Sequence, residues 1–258
     1  MRSIWKGSLG FGLVVIPVRL YAATESRELH LHYLHRADMG RIQYRKFCAV
    51  CDAEVEREDI VLGYEYEPGA YVPLTQADLD ALPAGPGHTV EIAAFVDAGE
   101  IDPVYYHKAY HVEPGTGGER AYALLRDAMA EAGRSALCRV VLRRKPSLAV
   151  VRRYGTGNLL METLHDPDEV RSPDELAIPQ EVEALEKERS LARALVDHLA
   201  APFDPAAYPD PYRAALNQLI AARIEGAQVA RPRATEPAPV RDLMAALEAS
   251  LKQPATIH

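Results

Sequence analysis

Alternating hydrophobic and polar residues predict that residues 1–165 are built mostly of β-strands. Short runs rich in Val, Ile and aromatic residues are separated by turn sequences such as Pro68-Gly69 and Pro114-Gly115. Many short strands at this spacing are typical of an antiparallel sheet or a barrel. The predicted strands are Phe11–Tyr21, Leu29–Leu34, Ile42–Phe47, Gly63–Tyr66, Val90–Phe95, Val104–Val112, Ala136–Leu142, Leu148–Tyr154 and Leu159–Leu164.

Two helices interrupt the strands. Thr75 and Asp78 have the spacing of a capping box, which predicts a short helix that ends at Pro83. The second helix is predicted over Glu119–Ala132, where apolar residues fall on one face, and Gly133 ends it. The strand-rich region and its two helices together form a predicted core domain, residues 1–165.

Beyond the core domain the pattern becomes helical. An acidic amphipathic helix is predicted over Pro179–Leu199, and Asp210 and Pro211 are a strong start for another. Both helices are too polar to form a core of their own, so we expect this region, residues 166–226, to pack on the barrel or on another chain.

The last part of the chain has the composition of a linker followed by a short helix. Residues 227–240 are rich in Pro and Ala, which is typical of a semi-stiff linker. In residues 241–258, Leu243, Leu247 and Leu251 recur every four residues. A helix of about three turns is marginal alone in water, so we interpret it as a docking peptide for another protein. The alternative is that it folds back onto its own domain.

Composition places the chain among soluble globular proteins. It has 258 residues, of which 48% are hydrophobic and 26% charged, and no apolar run is long enough to cross a membrane. Three cysteines are too few for a disulfide-stabilised secreted protein. We therefore expect a cytoplasmic protein with no membrane partner.

The net charge of −8 conceals two basic regions. Residues 1–50 carry 8 basic and 3 acidic side chains, and residues 120–161 carry 9 and 2, whereas residues 51–119 carry 2 and 15. A polyanion responds to the local potential of the surface it meets, so such a chain can bind nucleic acid along one surface. The alternative is that these cations are scattered over a solvated surface.

Catalytic motifs are not found in the sequence. A phosphate-binding loop, H-E-x-x-H and G-x-S-x-G are all missing, and the glycines of Gly7–Gly12 precede a strand rather than a helix. The one metal-like motif, Cys48 and Cys51, is half of a tetrahedral zinc site. We therefore predict no enzymatic activity and no cofactor, with a structural zinc ion at Cys48 and Cys51 as the weaker alternative.

The ordered motifs resemble those of bacterial Ku proteins. The resemblance rests on IWKGSLGFGLVVIPVRLYAATE, GRIQYRKFCAVCDAEVEREDIVLGYEYEPGAYVPLTQADLDAL, EIDPVYYHKAYHVEPG, AYALLRDAM, ALCRVVLRRK, HDPDEVRSPDEL and PVRDLMAALEASLK, which together cover nearly the whole chain. It implies a mixed β/α fold: a Ku-type β-barrel core with a strand-rich bridge that encircles DNA, followed by a helical C-terminal arm. It also implies a homodimeric ring that binds double-stranded DNA ends in non-homologous end joining and protects them.

Both the charge pattern and the resemblance indicate DNA binding without sequence readout, through cations directed at phosphates. The predicted DNA-binding residues are Arg36, Arg41, Arg45, Lys46, Arg139, Arg143, Arg144 and Lys145. The resemblance further implies that the terminal helix recruits and stimulates the ATP-dependent DNA ligase of this pathway. Its predicted docking residues are Leu243, Met244, Leu247 and Leu251. For such a protein we expect association with the nucleoid.

Two other classes of function remain open from the residues alone. One is a zinc-dependent enzyme that uses Cys48 and Cys51. The other is a β-barrel module that binds single strands or RNA, which would need exposed aromatic residues interleaved with cations, as Tyr44 beside Arg45 suggests.

Overall fold

The structure is a computed structural model that describes residues 1–82, 87–142, 145–179 and 185–226. The described residues form nine β-strands and four α-helices. The strands are β1 Trp5–Phe11, β2 Val14–Ala22, β3 Leu62–Glu67, β4 Ala70–Leu74, β5 Thr89–Asp97, β6 Tyr106–Pro114, β7 Arg134–Leu142, β8 Lys145–Tyr154 and β9 Asn158–Leu164. The helices are α1 Gln76–Asp80, α2 Glu119–Ala132, α3 Glu186–Leu199 and α4 Pro211–Ile224.

Seven strands close into a barrel in the order β1-β2-β6-β9-β8-β7-β5. The neighbouring strands are antiparallel except at the closing junction, where β1 runs parallel to β5 with Leu9 opposite Val90. The barrel confirms the predicted mixed β/α fold class. Residues 23–88 form one long insertion between β2 and β5, and this insertion holds β3, β4 and α1.

The barrel interior is an apolar core, because one side of each strand is buried there. Among its largest fully buried side chains are Leu9, Ile16, Leu20, Val90, Val140, Val151, Leu159 and Met161. Helix α2 adds Leu125 and Met129 to this core. Its Tyr122 hydroxyl donates to the carbonyl of Val112 (2.8 Å) and accepts from the N–H of Leu159 (2.7 Å). These residues lie at the end of β6 and the start of β9, so α2 covers that end of the barrel.

Residues 23–61, which we call the bridge segment, contain none of the predicted regular strands. Backbone pairing is limited to Leu34 with Arg41 and Phe47 with Glu54. The strands predicted over Leu29–Leu34 and Ile42–Phe47 are therefore wrong. Their side chains are almost all exposed, and two strands without a third neighbour or a core are only marginally stable.

The helices agree more closely with the sequence. Thr75 forms the predicted capping box with Asp78, and Gly133 ends α2 with a φ of 63° that favours glycine. Asp210 caps α4 by accepting from the N–H of Arg213 at 3.0 Å. Helix α3 begins at Glu186 rather than at Pro179, and residues 180–184 lie outside the described residues.

The chain divides into two compact units. The first comprises Met1–Arg27 with Leu31–Pro173, and the described part of the second comprises Glu28–His30 with the residues from Asp174 onward. The second unit holds α3 and α4. In the described ranges, the helices are too short or too polar to cross a membrane. The predicted domain boundaries at residues 165, 226 and 240 stay predictions.

Candidate nucleic-acid interface

The described cations predicted to bind DNA fall into two groups. Arg36, Arg41, Arg45 and Lys46 are exposed on the bridge segment. Arg139 is exposed on β7, and Lys145 is exposed at the start of β8. Arg143 and Arg144 lie outside the described residues, as do Leu243, Met244, Leu247 and Leu251 of the predicted docking helix.

The first two bridge cations are held at a tight turn, His35–Gly40. Arg36 lies within this turn and Arg41 directly follows it. The N–H of Ile42 donates to the carbonyl of Tyr33 at 3.0 Å, which places Arg41 beside the turn His35–Gly40. Inside the turn, the Asp38 carboxylate accepts from the N–H of Gly40 and contacts His35 Nδ1, both at 2.9 Å. These contacts hold the pKa of Asp38 below its usual value. Because backbone hydrogen bonds between His35 and Gly40 and between Met39 and His35 also close it, the turn is fixed by its own polar groups, and not by burial.

Arg41 has a polar neighbour on the same side of this turn. Its Nη2 lies 3.0 Å from Nδ1 of His32. A guanidinium only donates, so the ring nitrogen of His32 is the acceptor in this contact. Arg41 is exposed and has no carboxylate partner among the described ion pairs.

The second pair of bridge cations belongs to a knuckle-like turn around the two cysteines. The Arg45 guanidinium lies 3.0 Å from the Glu54 carboxylate, an ion pair that partly offsets its charge. The carbonyl of Lys46 accepts from the N–H of Val55 at 2.9 Å, and the Lys46 side chain is exposed. Of this pair, Lys46 is the cation with no opposing carboxylate among the described ion pairs.

Cys48 and Cys51 form a compact turn in which the pKa of the Cys48 thiol is lowered. The N–H groups of Cys51 and Val50, and then the Cys51 thiol, lower the pKa of Cys48, because hydrogen bonds to sulfur favour the thiolate. Zinc requires four ligands in a structural site. Within the described ranges, His, Cys, Asp and Glu side chains form no group of three or more that could hold a metal ion. This turn supplies two ligands, so we assign no chemistry to a metal here.

The cations of the barrel are not equally available to bind a phosphate. Arg139 points outward opposite Glu91 of β5 and Leu148 of β8. Arg152, in the same basic run, is half-buried and binds both oxygens of Glu162 on β9 at 2.5 and 3.1 Å. Arg152 therefore stabilises the pairing of β8 with β9, whereas Arg139 is exposed and has no ion pair among the described residues.

Lys145 belongs to a cluster that the sequence did not reveal. Its Nζ lies 3.7 Å from Oε1 of Glu169, whose Oε2 lies 3.2 Å from Nδ1 of His165. The His165 ring in turn lies 4.8 Å from the His107 ring. These residues come from three separate parts of the chain, so no local motif could indicate that barrel closure brings them together.

The comparisons with known proteins agree with this architecture. Residues 10–191 match the Ku70/Ku80 beta-barrel domain family. The chain is 48% identical over 253 residues to the "Non-homologous end joining protein Ku" of Symbiobacterium thermophilum, covering 98% of this chain and 63% of that protein. Proteins of the same name from Heliobacterium modesticaldum and Archaeoglobus fulgidus are 42% and 41% identical, with 92% and 99% of their lengths covered. In each case 98% of this chain is aligned.

The matched family region contains the barrel strands after β1, the bridge segment and the cation groups described above. The chain spans under two thirds of the Symbiobacterium protein and nearly all of the Archaeoglobus protein. On the identity and coverage of these matches, the chain belongs to the Ku family.

Proposed function

We propose that this protein binds the ends of double-stranded DNA without reading sequence, protects them, and acts in non-homologous end joining. The observation that carries the proposal is the set of exposed cations on the bridge segment of a Ku-family chain, namely Arg36, Arg41, Arg45 and Lys46. The names of the relatives support the same pathway.

The geometry of the bridge segment suits phosphates better than base edges. Sequence readout in the major groove usually relies on a helix or a regular two-stranded ribbon. Among the described residues of the bridge segment, neither is present, and only a three-residue helical turn, Arg57–Asp59, interrupts the irregular backbone. Exposed cations on an extended backbone can follow phosphates whatever the bases are.

The experiment compares a linear duplex with a covalently closed circle of the same sequence and salt. We expect retarded complexes on the linear duplex, and none on the circle, because a ring loads only at an end. A single strand of the same length serves as the third competitor and tests the alternative of a single-strand-binding barrel. Equal affinity for circle and linear duplex would contradict loading at ends.

A homodimer is part of the proposal and is supported by the second unit. Neither α3 nor α4 has a buried residue in the described chain. Val196, Phe203 and Ile224 are 68%, 88% and 80% exposed, so these large apolar side chains have little cover within the described chain. A two-fold partner would cover such surfaces and would double every cation facing the DNA. Sedimentation should therefore give the mass of two chains.

Ligase recruitment is the last part of the proposal, and it rests on the sequence of residues 241–258. Leu243, Leu247 and Leu251, with Met244 beside them, have the spacing of an amphipathic helix that lies in a partner's groove. The partner we propose is the ATP-dependent ligase that seals the joined ends.

We expect Leu247→Asp to abolish ligase binding while leaving DNA-end binding unchanged. Burying a Leu side chain contributes roughly 1.5–3 kcal/mol, and a buried unpaired charge adds a further penalty. Titrations of the variant with ligase and with duplex ends measure the two effects separately, and Lys252→Ala, off the Leu positions, is the matched control. Parallel loss of DNA binding would assign this helix to the fold instead.

A further inference from the structure

The end of the barrel opposite α2 is open and holds a cavity of about 650 Å³. Its walls come from the starts of β1, β6 and β8 and from the ends of β2, β7 and β9, which all meet at this end. The volume lies within the range of pockets that bind small molecules, and barrel mouths are common sites for them. The insertion that carries the bridge cations leaves the barrel after Ala22 and returns at Thr89, at this same end.

The cavity combines an apolar floor with a rim of charged and polar side chains. Trp5, Tyr110 and Leu142 line it and pack against the barrel core. Above this floor, the rim carries Lys108 and Lys145, the imidazoles of His107 and His165, the carboxylates of Asp166 and Glu169, and hydroxyls from Thr24 and Ser147. A flat apolar group and an anion are the two parts of a ligand that such a surface can bind at once.

An anion-binding position already exists on the rim. The Glu169 carboxylate accepts from the backbone N–H of Asp166 at 3.0 Å and contacts Nδ1 of His165 at 3.2 Å, and Lys145 approaches its other oxygen at 3.7 Å. Two neighbouring groups of the same turn, at His165 and Asp166, and the Lys145 ammonium from β8 thus converge on one carboxylate. Because Glu169 lies in a turn beyond the barrel strands, a stronger external anion can replace it without disturbing the sheet.

We propose that the barrel mouth binds a nucleoside phosphate, with the base against Trp5, Tyr110 and Leu142 and the phosphate at the rim where the Glu169 carboxylate now lies. Lys108 and Lys145 would neutralise the phosphate, and hydroxyls of the rim would hydrogen-bond to the sugar or base. Either a free nucleotide or the unpaired terminal nucleotide of a DNA strand could supply this chemistry. The binding of a free nucleotide does not depend on the proposed DNA-end function.

The sole tryptophan of the chain reports on this cavity directly. Trp5 is the only tryptophan, so its fluorescence during titration of the full-length protein with dAMP measures occupancy. We expect a saturable change with dAMP and at least about a tenfold weaker response to deoxyadenosine, which lacks only the charged phosphate. No saturable change with dAMP would overturn the proposal.

Two variants test the rim separately from the floor. Lys108→Ala should weaken dAMP binding about fivefold, whereas Glu169→Gln should strengthen it about fivefold, because a neutral amide binds the Asp166 N–H and Lys145 less strongly than the carboxylate does and no longer repels phosphate. Lys187→Ala, on α3 in the second unit, is the control and should change nothing. If Glu169 had only a structural role, Glu169→Gln would leave binding unchanged or weaken it, and the assignment of its position to a phosphate would be wrong.

A competition experiment distinguishes a free nucleotide from the unpaired terminal nucleotide of a DNA strand as the natural ligand. If an unpaired DNA terminus is the natural ligand, dAMP should displace a duplex with a single unpaired 3′ nucleotide more readily than a blunt duplex. Equal competition on both duplexes would indicate the free nucleotide. A protein that binds dAMP yet binds circles and linear duplexes alike would refute the DNA-end proposal and leave the cavity proposal intact.

Discussion

Affinity for a linear duplex is expected to fall about 10³–10⁵-fold between about 50 and 200 mM salt, if the bound dimer neutralises on the order of 6–10 phosphates. The reason is that condensed counterions are released from the DNA when cations such as Arg41, Lys46 and Arg139 contact its phosphates. Gel-shift or anisotropy titrations at four or five salt concentrations give the slope of log affinity against log salt.

Single substitutions measure how much each residue contributes to the slope of log affinity against log salt. In a homodimer, Arg41→Ala removes two cations, so the slope should shrink by about 1.8, at about 0.9 per phosphate contact. Lys187→Ala on α3 is the control and should leave the slope unchanged. Affinity should fall equally for duplexes of different sequence. A loss confined to one sequence would mean that Arg41 reads bases.

The second large effect is expected at Tyr122, which joins α2 to the barrel. Tyr122→Ala should lower the free energy of unfolding by about 3–5 kcal/mol, the usual cost of removing a buried aromatic side chain. Burial raises the pKa of this phenol, in keeping with a hydroxyl that stays protonated and donates to Val112. Urea unfolding of both proteins, followed by circular dichroism, measures the difference.

A conservative variant separates the ring from the hydroxyl. Tyr122→Phe keeps the ring but leaves the buried N–H of Leu159 without its acceptor, so about 1–3 kcal/mol should be lost. Tyr212→Phe, on the exposed surface of α4, is the control and should change stability by less than about 0.5 kcal/mol. Full stability of Tyr122→Phe would show that water replaces the hydroxyl.

The barrel strands could be predicted because burial enforces their pattern. Leu159–Leu164 and Ile42–Phe47 are both short runs rich in β-forming residues, and the sequence suggests strands for both. The first becomes β9 because β6 and β8 pair with its two edges and its side chains enter the core. The second has no such neighbours, so its tendency to extend yields only single paired positions.

The ends of the helices could be predicted because their caps are local. The cluster of His107, Lys145, His165 and Glu169 at the open end of the barrel could not be predicted. The caps at Thr75, Gly133 and Asp210 depend on residues within one turn of the helix. His107, Lys145 and Glu169 are separated by dozens of residues, and their proximity depends on closure of the whole sheet. Strand β1 was missed for a related reason: Gly7 weakens the strand pattern, yet a side chain there would collide with the Trp5 ring and the His88 carbonyl.

The parallel junction between β1 and β5 bears on how this chain can vary in evolution. It joins strands separated by the insertion, residues 23–88, so the barrel is complete without any strand from that insertion. The entropic cost of closing such an excursion rises only with the logarithm of its length, by about 0.6 kcal/mol for each doubling. Lengthening or shortening the insertion is therefore nearly neutral for the barrel, and its size and charge can evolve while the barrel stays unchanged.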